Sequence, residues 1–270
     1  GVGLVGSEMC IRDRSKSILL SIFTGLVSTA LALFFSQVIL LYFFKNKFYN
    51  YLKIIISPLI ALPHITMAIG LIFLLSPSGL LLRSVSPWLT GFDRPPNSYL
   101  FPDEYGFFLI LGLILKEIPF LILVSLSALR EFSSSKFFDM GKSLQHSSFS
   151  SWFILIFPII YKKIRLVVFI IIAFSSSVVD MSLLLAPSTP STLSVRILQI
   201  FQSSDMDSFL IASNLSLIQL FIIIILLIVW IFFEKIIKLK LFYIFFIKIT
   251  SFKSEFLKIT ILFFSTILFL

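Results

Sequence analysis

Charge is scarce in this sequence, and cysteine and histidine are scarcer. Only 13% of its 270 residues are Asp, Glu, Lys or Arg, while 58% are hydrophobic. A water-soluble globule of this length cannot bury so much apolar surface, so that class is excluded. Cys10 is the one cysteine, so no disulfide can form within the chain. His64 has no second His or Cys at ligand spacing, so no metal site is expected and a satisfied core histidine is the simpler reading. No G-x-x-x-x-G-K-[ST] occurs, so the chain does not bind ATP through a P-loop, and H-E-x-x-H and G-x-S-x-G are missing as well. The serines at 133–135 and 175–177 lack a nearby His and Asp, so small-residue packing is expected of them. These absences weigh against an enzyme and imply no resident cofactor.

What the chain does have is long apolar runs. Five are long enough to cross the hydrocarbon core at about 20 residues each: Ser17–Phe44, Ile54–Leu75, Gly106–Leu129, Ile164–Ala186 and Phe209–Phe233. They are apolar all round rather than alternating, which favours helices over a membrane barrel. The expected fold is an all-α integral membrane bundle of about five complete transmembrane helices with a cytoplasmic coupling helix. The net charge of +9 would suggest nucleic acid in a soluble protein, but its distribution says otherwise. Loops 45–53, 130–165 and 234–258 carry 3, 6 and 6 Lys/Arg, against two in 76–105 and one in 187–208. Alternation of this kind is the positive-inside pattern and puts the first three loops in the cytoplasm of a bacterial inner-membrane protein. The 33 phenylalanines are better explained by an AT-rich genome than by chemistry.

The two ends do not match the middle. Residues 1–14, GVGLVGSEMCIRDR, have no apolar core of a signal peptide and resemble translated sequencing-adapter read-through. Natural sequence is then expected from Ser15, just outside the membrane, with an earlier span missing. Residues 15–240 form the membrane domain and 241–257 a basic cytoplasmic linker. Residues 258–270 are the start of a further apolar stretch, too short to cross. A fragment of a longer chain is the simplest expectation.

Charges inside a bilayer are expensive and each calls for a reason. Lys116 and Glu117 lie mid-way along Gly106–Leu129. Adjacent helical residues point about 100° apart, so the two do not pair, and at least one needs a partner on another helix or a wet cavity. Asp180 lies in the outer third of Ile164–Ala186. All three are candidates for a solute path; the competing reading makes them structural, bonded to neighbouring helices. Pro58, Pro63 and Gly70 interrupt Ile54–Leu75, as a helix supported by protein or a cavity allows. In the outer loop Pro187–Ser208, Leu193, Ile197, Ile200 and Phe201 have the spacing of a short helix lying in the interface plane, either a gate or an anchor.

The polar stretch Arg130–Arg165 says most about function. It holds six Lys/Arg against two acids. Phe137, Met140 and Leu144 recur at i, i+3, i+7, while Asp139, Lys142, Ser143 and His146 fall on another stripe. A two-faced cytoplasmic helix is a good shape for docking a soluble partner in a groove.

The run Asp139-Met-Gly-Lys-Ser-Leu144-Gln145-His-Ser147, followed by Phe157-Pro158, resembles the EAA loop of binding-protein-dependent ABC importer permeases, the MetI-like family. The family pattern is roughly E-A-A-x-x-L-G-A-S, then Leu-Pro about ten residues on. Asp139 would be its acid, Gly141 its second small residue, Leu144 its apolar anchor and Pro158 its proline. Asp replaces Glu, Met140 replaces Ala, and Gln145 stands at the Gly position. The segments Leu62–Gly79, Leu115–Leu121 and Val179–Thr192 resemble a subgroup of these permeases named for thiamine-type transport, whose members fuse two six-helix halves. The resemblance covers Ser15 to about Lys240. It implies spans two to six of a first half, with Lys258–Leu270 opening the second.

That resemblance implies a permease subunit, not an enzyme. Its partners would be a separate ABC ATPase, a periplasmic solute-binding protein, a second permease half and membrane lipid, with no nucleic acid. Phe137, Asp139, Met140, Gly141, Lys142, Leu144 and Pro158 would form the ATPase-coupling loop. An ion-coupled secondary transporter, with its intramembrane charges as the ion site, is the alternative.

Overall fold

The structure is a computed structural model and describes residues 2–44, 49–86, 88, 91, 103, 105–143, 146–203 and 206–246. Every regular element among them is helical: α1 Val2–Phe43, α2 Tyr49–Ala61, α3 His64–Leu75, α4 Leu80–Val85, α5 Phe107–Arg130, α6 Ser134–Ser143, α7 Ser148–Ser151, a π turn Trp152–Ile156, α8 Phe157–Ser177, α9 Asp180–Leu185, α10 Leu193–Phe201 and α11 Met206–Phe246. The chain is an all-α integral membrane bundle.

Helices α1, α5 and α8 form its centre. Along α1 the buried residues Ser17, Ser21, Thr24 and Ser28 follow helical spacing. Small polar side chains let helices approach closely in lipid, where lipid tails are as apolar as leucine and there is no hydrophobic drive to associate. The hydroxyls of Thr24 and Ser28 bond back to the helix, to the Leu20 carbonyl at 2.8 Å and the Gly25 carbonyl at 3.2 Å. A Cβ on Gly25 would lie 2.9 Å from Ser176 Cβ and 3.0 Å from Ser176 Cα, so α1 and α8 meet there at nearly backbone distance. Ser175 and Ser176 pack as small residues, whereas Ser133 and Ser135 are exposed at the entrance to α6. The larger apolar cluster joins Leu33 and Leu40 to Leu121, Trp152, Ile160 and Val168; a smaller one joins Ala68 and Leu71 to Leu109, Leu113, Met181 and Leu185. Helix α5 belongs to both, and its start is fixed by Asp103, whose carboxylate accepts from the N–H groups of Phe107 and Phe108.

Among the described residues four helical stretches, not five, are long and apolar enough to cross a membrane: Ser15–Phe43, His64–Val85, Phe107–Arg130 and Ser208–Ile237. Two expectations change. The run Ile54–Leu75 is cut at Pro63, whose backbone is extended, and the membrane-length stretch shifts to His64–Val85. Pro58 lies inside α2 and Gly70 inside α3, so neither of them interrupts the helix. The run Ile164–Ala186 is also cut, because α8 ends at Ser177 and Val178 turns extended. The hydroxyls of Ser176 and Ser177 bond back to the Ala173 carbonyl, a local competition with the helical ladder. Upstream, Lys162, Lys163 and Arg165 lower the apolarity of α8. Helix α11 continues past Phe233 to Phe246, since no Gly or Pro stops it.

Candidate functional site

Helix α6 stands at the end of the bundle, between α5 and α7. Its inward face is Phe138 and Gly141, three residues apart. Phe138 meets the Phe44 ring edge-on at 5.1 Å, and Phe44 meets Trp152 in the same way at 5.1 Å. Lys142 Nζ sits 5.0 Å above the Phe138 ring. A Cβ on Gly141 would fall 2.6 Å from Ser151 Cβ, so only glycine allows α6 to lie this close to α7. The opposite side carries Phe137 at 38% and Met140 at 53% exposure, with Asp139 and Lys142 also exposed. The periodicity of the sequence picks out that outer apolar pair but misses the inward one. Leu144 and Gln145 lie outside the described residues. Beyond them the His146 N–H closes α6 on the Gly141 carbonyl at 3.1 Å, and Ser147 caps α7 by accepting from the Ser150 N–H.

Pro158 is the second residue of α8, directly after the π turn. It has no N–H to offer the carbonyl four residues back, and its ring presses on that carbonyl. The preceding turn is widened accordingly: Phe157 N–H donates to the Trp152 carbonyl, five residues back.

The intramembrane charges behave differently from one another. Lys116, buried, donates to the Ile60 carbonyl at 3.0 Å and to the Leu62 carbonyl. These carbonyls lie at the end of α2, where Pro63 has stopped the ladder. The ammonium therefore does what a cation does at any helix C-terminus, satisfying carbonyls and opposing the dipole. Glu117 is 5% exposed and faces Lys116 only through its field, with no hydrogen-bond partner among the described residues. Asp180 is the half-buried first residue of α9, just past the second break. His64 opens α3, within electrostatic reach of both Asp180 and Lys116, and its ring meets Phe174 edge-on at 4.8 Å. Two helix breaks are thus brought together around one set of charges. The recess between α3 and α4, lined by Gly70, Phe73, Leu74 and Arg83, contains none of them. Among the described residues no three His, Cys, Asp or Glu gather as a metal site would require.

Sequence reasoning missed two features. Glu234, counted in the basic loop 234–258, is buried and pairs with Arg165 Nε at 2.9 Å. Tyr161 donates its hydroxyl hydrogen to the same carboxylate and accepts from Trp230 Nε1 at 2.8 Å, tying α8 to α11. An acid at the head of a basic, aromatic segment was the available signal. The second concerns α10, which forms as the spacing predicts but does not simply rest on the surface. Leu193, Ser194 and Val195 are buried, Ser21 of α1 accepts from the Leu193 N–H at 2.9 Å, and Ser194 donates to the Val178 carbonyl at 2.8 Å.

No family model matches the chain, and no solved structure matches it. It is similar to the inner membrane ABC transporter permease protein YnjC of Escherichia coli (strain K12), with 30% identity over 149 residues, or 55% of this chain. The match covers 27% of YnjC, so the chain corresponds to about a quarter of that relative's length.

Proposed function

We propose that this chain is part of the permease subunit of an ABC importer in a bacterial inner membrane. The observation that carries this reading is the presentation of α6. One face, Phe138 and Gly141, is held in the bundle, and the other offers Phe137 and Met140 beside Asp139 and Lys142. An exposed apolar pair flanked by charges on a helix at the basic end of a membrane bundle suits insertion into a groove of a soluble partner. The similarity to YnjC supports a permease, and a permease of this kind works with a separate ATPase. The positive-inside pattern supports the orientation.

In this reading a periplasmic binding protein delivers the solute, and two permease halves enclose its path. Residues 15–240 belong to the first half of a fused chain of the MetI-like, thiamine-type subgroup, with a thiamine-like solute. ATP favours one access state because the ATPase grips α6 more tightly in that state, as any ligand-driven switch requires. Glu117 and Asp180 border the path. Lys116 shapes it by holding the broken end of α2, which leaves little room for an ion-coupled carrier built on that lysine.

The test uses the full-length permease reconstituted with its ATPase and binding protein. Met140→Glu or Asp139→Lys should abolish hydrolysis stimulated by loaded binding protein. Hydrolysis at the unaltered level in both variants would remove the docking role.

A further inference from the structure

Helix α6 touches the rest of the protein chiefly through α7 and the π turn. Ser151 and Leu155 receive Gly141, and Trp152 closes the aromatic contact with Phe44 and Phe138. From Ser148 to Ser177 the chain is one continuous helical rod, with the widened turn in it at Trp152–Ile156. The rod then joins α11 through Arg165, Tyr161 and Glu234. The buried route from α6 to α8 crosses the π turn, while a second, exposed link runs from Phe137 by the Phe132 ring to Lys163, which also pairs with Glu131.

A π turn holds one residue more than an α turn. Where the extra residue sits is not fixed by the helix itself. Each residue that the widened turn passes is rotated by about 100° and moved about 1.5 Å along the axis. Two further observations mark this turn as a place of unequal satisfaction. Ser151 Oγ and Trp152 Nε1 are buried with no hydrogen-bond partner, two of five such side-chain atoms among the described residues. Buried donors without partners are costly, and a rotation here would change what they face. Pro158 sets the C-terminal limit of the widened turn, because it removes the N–H that a regular helix would use there.

We propose that the Pro158-anchored π turn is the joint through which movement of α6 is passed to α8 and, by the Arg165–Glu234 pair, to α11. The proposal rests on the importer reading, since it takes the force on α6 from the ATPase. Pro158→Ala restores the missing donor and lets the rod close into a regular helix, which fixes α6 relative to α8.

The test uses the full-length permease with its ATPase, in a background free of other cysteines, with spin labels at Ser143→Cys and Ile170→Cys. In the unaltered chain the distance between labels should change on ATP binding. Pro158→Ala should cut that change by about half or more while, in unlabelled samples, the Ser143→Cys cross-link to the ATPase persists. A full change in the Pro158→Ala chain overturns the joint and leaves the importer reading standing. No cross-link in the unaltered chain removes the importer reading and the joint with it. Should Pro158→Ala fail to assemble, amide exchange on the unaltered complex decides. ATP must alter exchange across residues 153–157 more than across 166–172, and an equal response overturns the joint.

Discussion

Two interruptions inside the bundle, after Ala61 and after Ser177, are held by different chemistry. At the first, the extended Pro63 ends the helix, and Lys116 reaches across from α5 to take the stranded carbonyls of Ile60 and Leu62. At the second, no proline is present. Serine hydroxyls compete with the ladder, and the freed Val178 carbonyl accepts from Ser182 and from Ser194, each at 2.8 Å. A break made by proline leaves a polar demand strong enough to call for a buried cation. A break made by serines carries its own donors and needs only a neighbour of the same kind. In lipid both solutions satisfy the same requirement, that no backbone carbonyl be left bare.

This contrast can be broken deliberately. Lys116→Met should have the largest effect, a loss of about 3 kcal/mol, because it strands two carbonyls served by a charged donor. Reversible unfolding in detergent would measure it, and a loss no greater than that of an exposed apolar substitution would sink the capping role. Gly25→Val comes next, at about 2 kcal/mol, since its added carbon meets Ser176 backbone that cannot step aside. Adding Pro63→Ala to Lys116→Met should recover part of the lysine loss, about 1 kcal/mol, because alanine lets the helix run on, so that the N–H groups of His64 and Thr66 can serve the two carbonyls. Strict additivity in that double-mutant cycle would show that the lysine and the proline act independently. The smallest effect belongs to Ser194→Ala, about 0.6 kcal/mol, as Ser182 still serves the Val178 carbonyl.

The same contrast explains what could be read from the sequence. Helical spans, the break at Pro63, helix α10 and the two-sided character of α6 follow from apolar length, proline and spacing, which are local properties. The partner of Lys116 lies 54 to 56 residues away, and no pattern links the two. The break at Val178 leaves no mark stronger than a serine tract, so the fourth expected span reads as continuous when it is not. For α6 the sequence shows an apolar stripe through Phe137 and Met140. Which stripe turns inward depends on Gly141 finding Ser151, a contact between two small residues that hydrophobicity does not register.

The buried carboxylate of Glu234 has a consequence for biosynthesis. It sits in the last turn of the apolar part of α11, and its counter-charge is on a helix made earlier. Until α8 lies alongside, the acid lacks the Arg165 guanidinium and Tyr161 hydroxyl that hold it when buried, and a carboxylate without them is costly in hydrocarbon. The nascent chain should therefore keep this end of α11 at the water boundary and release it sideways only when Arg165 is waiting.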